Sequence, residues 1–153
     1  MKQQAAHILL VEDDPADAEL TTRSLQHYEK NLRIVVARDG AEALDYLFCR
    51  GKFAARNGRE HPSVVMLDLK LPRVSGHDVL KAIKEDGRTR CIPVIVMTSS
   101  NHEEDLRECY QRGANSFVQK PVEVASFRDA VTLLGNYWLR VNCAPPAAAF
   151  EVQ

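Results

Sequence analysis

Five short, almost wholly apolar runs alternate along this chain with stretches of helical periodicity. Ile8-Leu9-Leu10-Val11 is closed by Glu12-Asp13, Val64-Val65-Met66-Leu67 by Asp68, and Val94-Ile95-Val96-Met97 by Thr98. Ser116-Phe117-Val118-Gln119 leads into Lys120-Pro121, and Leu32–Ala37 supplies a fifth strand rich in branched residues. Strands with no polar face must be buried on both sides, which implies a parallel sheet between two helical layers. Right-handed crossovers then leave few topologies, and ligands of such sheets bind outside the carboxyl ends of the strands. Glu12, Asp13, Asp68, Thr98 and Lys120 all fall at those ends. Crowded carboxylates call for a cation, while an ammonium and a hydroxyl beside them suit a phosphoryl group. The pattern therefore points to a phosphoryl acceptor with bound Mg²⁺.

The helical stretches carry their own punctuation. Asp14 is the expected N-cap of a first helix, with Pro15 at its first position and Ala16, Leu20 and Leu25 inward, ending near Lys30. Asp39-Gly40 opens a second helix, and a third, with Val79, Leu80 and Ile83 inward, ends at Gly87. Asn101 is the expected cap of a fourth, with Leu106 and Tyr110 inward and Gly113 as terminator. A fifth runs from Glu123 to about Asn142. Between the second helix and third strand lies a polar, basic segment, residues 50–62, read as a solvated loop carrying Arg50, Lys52, Arg56 and Arg59.

A length of 153 residues suits one domain, here residues 1–142 with a flexible tail over 143–153 and no output domain. The net charge of −1 offers no attraction for nucleic acid or anionic membrane. No apolar run approaches the roughly 18 residues of a membrane span. Cys49, Cys91, Cys109 and Cys143 lack metal-ligand spacing and fit free thiols in a reducing cytoplasm.

Val11-Glu12-Asp13-Asp14-Pro15, Met66-Leu67-Asp68-Leu69-Lys70-Leu71-Pro72, Val96-Met97-Thr98-Ser99 and Val118-Gln119-Lys120-Pro121 together resemble the motifs of response-regulator receiver domains, over roughly residues 6–142. The resemblance implies a doubly wound (βα)5, flavodoxin-like three-layer sandwich with strand order 2-1-3-4-5. It implies that Asp68 accepts a phosphoryl group from a sensor histidine kinase. Mg²⁺ or Mn²⁺ would be held by Asp13, Asp68 and the Lys70 backbone carbonyl, with Glu12 acting through water. Lys120 would steady the phosphoryl group, aimed by a cis peptide at Pro121. Thr98 would be the switch hydroxyl, and Phe117 the strand-five aromatic that moves with it. Such a protein promotes only its own phosphorylation and dephosphorylation and is no enzyme toward other substrates. An aspartyl-phosphate phosphatase usually has a second Asp where Lys70 stands, and a flavodoxin-like cofactor binder is disfavoured because the acidic residues after its first strand would repel a phosphate unless Mg²⁺ intervenes.

The basic segment and Tyr137-Trp138-Leu139 resemble stand-alone regulators that partner phytochrome kinases. On the fifth helix, Phe127, Ala130, Val131, Leu134, Trp138 and Val141 form an inward stripe. Leu133 and Tyr137 widen the apolar arc to roughly 180°, more than a one-sided helix needs. Leu133, Tyr137 and Trp138 are thus expected at a homodimer or partner surface built from the fourth helix, fifth strand and fifth helix.

Overall fold

The computed structural model describes residues 6–150, in which five parallel strands lie in the order β2-β1-β3-β4-β5. The strands are β1 (His7–Val11), β2 (Arg33–Ala37), β3 (Val64–Leu67), β4 (Val94–Thr98) and β5 (Ser116–Gln119). The helices are α1 (Pro15–Tyr28), α2 (Gly40–Leu47), α3 (Gly76–Glu85), α4 (Glu103–Gln111) and α5 (Val124–Asn136). The expected doubly wound sandwich is the observed one.

Alternate strand residues serve opposite layers, as the pleat requires. Leu9, Val11, Val65, Leu67, Val94 and Val96 pack with α2 and α3. Ile8, Leu10, Val64, Met66, Ile95 and Met97 meet α1 and α5 through Ala18, Leu25, Phe127 and Val131. The Tyr28 hydroxyl donates to Asn136 Oδ1, tying the last turn of α1 to α5. At the amino end of the sheet, buried His7 Nε2 shares a hydrogen bond with the Tyr46 hydroxyl at 2.5 Å. No helix among the described residues is long and apolar enough to cross a membrane.

Several local expectations change. Ala16 is exposed and Ala18 takes the buried position in α1, with Thr21 beside it. The cap of α4 is His102 rather than Asn101, and Leu106 and Tyr110 face outward while Cys109 is the buried residue. Burial pushes the Cys109 thiol up to about 11, so it behaves as a packing group. Val141 is exposed because α5 gives way to a π-turn over Tyr137–Val141, whose wider winding rotates the expected stripe.

The segment 50–62 is solvent-exposed at most positions, as expected of a solvated loop, and is anchored at several points. It forms a 3₁₀ turn over Gly51–Phe53, and the Arg56 guanidinium donates to the carbonyls of Tyr46 and Glu60 at 2.8 and 2.6 Å while lying over the Tyr46 ring. A 3₁₀ turn over Ala147–Phe150 brings Phe150 flat against His61, ring centroids 3.8 Å apart. The Phe150–His61 contact has no local signature, since it joins residues distant in sequence. Residues 151–153 of the expected tail lie outside those described.

Candidate phosphoryl-acceptor site

Parallel ladders bring the carboxyl ends of β1, β3 and β5 to one edge of the sheet. The Glu12 amide donates to Ala37 O and the Asp68 amide to Val11 O, extending the pairing one residue past each strand. The Lys120 amide donates to Thr98 O at 2.7 Å in the same way. Side chains at these positions therefore have fixed backbones.

Lys120 Nζ lies 2.6 Å from Glu12 Oε2, 2.9 Å from Asp68 Oδ2 and 3.0 Å from Asp17 Oδ2. The Lys120, Glu12 and Asp68 side chains are each less than a tenth exposed, whereas Asp13 is open to solvent. Carboxylate oxygens of Glu12, Asp13 and Asp68 come within 4.8 Å of one another. Burial pushes Glu12 above its ordinary range, and the Lys120 hydrogen bond opposes that rise. Burial would lower the Lys120 ammonium, but Glu12 and Asp68 outweigh it and hold the pKa above its usual value. One cation thus faces several anions. An oxygen-only donor set with one solvent-open member fits a hard, partly hydrated divalent ion.

Residues 8–132 match the family model for the response regulator receiver domain. The chain belongs to the receiver-domain response regulators of two-component signalling. Proteins similar to it include a probable methanogenesis regulatory protein, FilR2, of Methanothrix harundinacea, 42% identical over 92% of this chain and 88% of that protein. The phosphorylated cyanobacterial phytochrome response regulator RcpA superposes with a TM-score of 0.88 at 31% identity, covering 94% of this chain and all of that one. Mn²⁺-bound Rcp1 of Synechocystis gives 0.86 at 30% identity, covering 92% and 99%.

Within this receiver, Asp14 does not join the acidic cluster. Its Oδ1 accepts from the amides of Ala16 and Asp17, capping α1 over Pro15. Glu12 Oε1 accepts from the Asp14 amide, so both Glu12 oxygens already have donors. Lys70 is exposed, and its amide reaches Asp68 Oδ1 at 3.3 Å. Thr98 is fully buried at the end of β4, and its Oγ1 accepts from the Ser100 amide at 3.3 Å. Phe117 is half-buried against the α2–α3 side of the core, beside Val96 in the ladder.

The cis bond expected at Pro121 is a correction: every peptide bond among the described residues is trans. Trans is the lower-energy form for a bond before proline, and the β5 ladder already carries Lys120 to the carboxylates. Asp17 is the site residue that sequence reasoning missed. An acidic residue in a first helical turn has an ordinary explanation in the helix dipole, which hid its contact with Lys120. Of the expected partner-surface residues, Leu133 and Tyr137 are 70% and 48% exposed. Trp138 is instead partly drawn into the α1–α5 side of the core.

Proposed function

We propose that this receiver accepts a phosphoryl group onto Asp68 from the phosphohistidine of a sensor kinase and thereby switches a protein-binding surface. The observation that carries this reading is Lys120, held by Glu12 and Asp68 beside solvent-open Asp13. In the transfer, an Asp68 oxygen forms the new O–P bond as the P–N bond to the kinase histidine breaks. The electron pair returns to the imidazole, which takes up a proton. Asp13, Asp68 and the Lys70 carbonyl would hold Mg²⁺ or Mn²⁺, with Glu12 through water, and the ion would offset charge on the transferring group. Lys120 keeps its ammonium on the Asp68 carboxylate before transfer and on a phosphoryl oxygen afterwards. Thr98 donates its hydroxyl hydrogen to the phosphoryl group, and the loop beyond β4 moves with it. Phe117 follows, changing the surface formed by α4, β5 and α5. Phosphorylated RcpA and Mn²⁺-bound Rcp1 support phosphoryl acceptance and divalent-ion binding by similarity, and RcpA's phytochrome association makes a phytochrome kinase the first partner to test.

Incubation with acetyl phosphate and Mg²⁺ followed by intact mass measurement is expected to show one phosphoryl adduct, absent without the ion and absent in Asp68→Asn. An adduct that persists in Asp68→Asn would contradict the assignment.

The switched surface is proposed to form a homodimer. Leu133 on α5, Tyr137 at the start of the π-turn that follows it, and outward Leu106 and Tyr110 on α4 supply exposed apolar area on elements that flank β5. Sedimentation velocity is expected to show a dimer that Leu133→Glu weakens at least tenfold, the scale of an interface hot spot (about 1.4 kcal/mol or more). A wild type that stays monomeric at high micromolar concentration, phosphorylated or not, would refute it.

A further inference from the structure

The loop between β4 and α4 is tied to α3 by a chain of hydrogen bonds outside the acidic cluster. Ser100 is 4% exposed, and its amide is the donor to Thr98 Oγ1. Its own hydroxyl donates to Asp105 Oδ2 at 2.5 Å, and its oxygen accepts from the His102 amide at 3.3 Å. Asp105 Oδ1 lies 3.0 Å from His77 Nε2, and the carboxylate accepts there, so the ring carries its hydrogen on that nitrogen. On the other side of the ring, Nδ1 faces Glu108 Oε2 at 3.6 Å and Cys109 Sγ at 3.8 Å. Arg112 closes the network, donating to His77 O and pairing with Glu108 and Asp78. Hydrogen bonds from Ser100 first, then His77, hold the Asp105 carboxyl below its usual range.

His77 is the second residue of α3, directly after Gly76, which lies against the Asp68 carbonyl. One side-chain chain therefore joins the loop that carries Thr98 to the helix that abuts the Asp68 backbone. It also commits the single Ser100 hydrogen to Asp105 while leaving the Thr98 hydrogen free of the Ser100 amide bond.

We infer that His77 and Asp105 are positioning residues for the phosphoryl reaction, holding Ser100 and through it Thr98 in the resting arrangement and so opposing the phosphorylated one. The inference rests on the reading of Thr98 as the hydroxyl that meets the phosphoryl group. Inward movement of Thr98 draws on Ser100, and the Asp105–His77 pair resists because its charge-assisted bonds must stretch or break. Cutting the tie at any of its three members therefore favours the phosphorylated arrangement. A glutamine at position 77 keeps an N–H donor for Asp105 and preserves the tie.

The test is a titration of the full chain with beryllofluoride in Mg²⁺, read by amide NMR, on wild type, His77→Phe, His77→Gln, Asp105→Ala and Ser100→Ala. His77→Phe, Asp105→Ala and Ser100→Ala are each expected to tighten beryllofluoride binding roughly tenfold, the scale of one hydrogen bond. His77→Gln is expected to stay near wild type, and the His77→Phe/Asp105→Ala double variant to gain no more than either alone. A wild type that responds while all cutting variants match it overturns the inference alone, as does a His77→Gln that behaves like His77→Phe. A wild type that does not respond to beryllofluoride overturns the proposed function as well. Ser100→Ala leaves α3 untouched, so the inference can be tested even if a substitution at His77 unfolds the chain.

Discussion

Lys120→Met is expected to cost the fold about 3–5 kcal/mol at neutral pH without divalent ions, because it strips the ammonium from a buried carboxylate group. Lys120 Nζ contacts Glu12, Asp17 and Asp68, and two of those side chains are 5% and 8% exposed. Methionine fills the space but leaves the carboxylates facing one another. Burial already raises the Glu12 pKa, and losing Lys120 removes the contact that opposes this rise. The sign of the pH dependence follows. A carboxyl raised above its unfolded value, as Glu12 is, binds more protons in the folded state, so stability is lost as pH rises through neutrality and recovered as it falls. Urea unfolding at pH 7 and pH 5 should show the variant's deficit shrinking on acidification, and added Mg²⁺ should shrink it at pH 7. Phosphoryl adduct formation should be lost in parallel. A deficit below about 1 kcal/mol, unchanged by pH or Mg²⁺, would mean that the carboxylates do not depend on this ammonium.

Gly76→Ala is expected to be the most damaging single methyl addition near the site. Gly76 opens α3, with the Ser75 Oγ accepting from the Asp78 amide as cap. A Cβ at position 76 would lie 2.2 Å from Asp68 O and 2.5 Å from Leu69 Cα, both backbone atoms with little freedom to yield. The Gly76 amide also donates to Leu69 O, so the helix cannot withdraw without losing that bond. Overpacking against backbone places the cost at about 3 kcal/mol or above. Gly135→Ala is the control, since its Cβ would meet the end of the Leu25 side chain at 2.9 Å, which can rotate. That variant should lose about 1 kcal/mol. Thermal unfolding separates the two, and equal losses would show that the Asp68 backbone is not packed against α3 as described.

These two positions also show what the sequence makes visible. Asp68 and Lys120 stand out because each ends an apolar run whose strand character is plain, and parallel topology brings run ends together. Gly76 and Asp17 do not, because each has an ordinary local role, as a turn residue and as a first-turn acid. What matters at both is a distant neighbour. The α4 face failed for a related reason. Glu103-Glu104-Asp105-Leu106-Arg107-Glu108-Cys109-Tyr110 has too few apolar residues to fix its rotation, and Leu106 and Tyr110 face outward while Cys109 is buried. On α5 the stripe was right through Trp138 and lost at Val141, where π winding replaces the 100° step. Packing of Phe150 on His61 lies beyond any local pattern, because it depends on where two remote segments meet.

Whether residue 68 itself bears the phosphoryl group is the most direct question to put to the molecule. Borohydride reduction of the acetyl phosphate product converts an aspartyl phosphate to homoserine, and peptide sequencing then reports where it lies. Homoserine at position 68 and nowhere else is the expected result. Homoserine at position 13, or a fully phosphorylated sample that yields none, would contradict it.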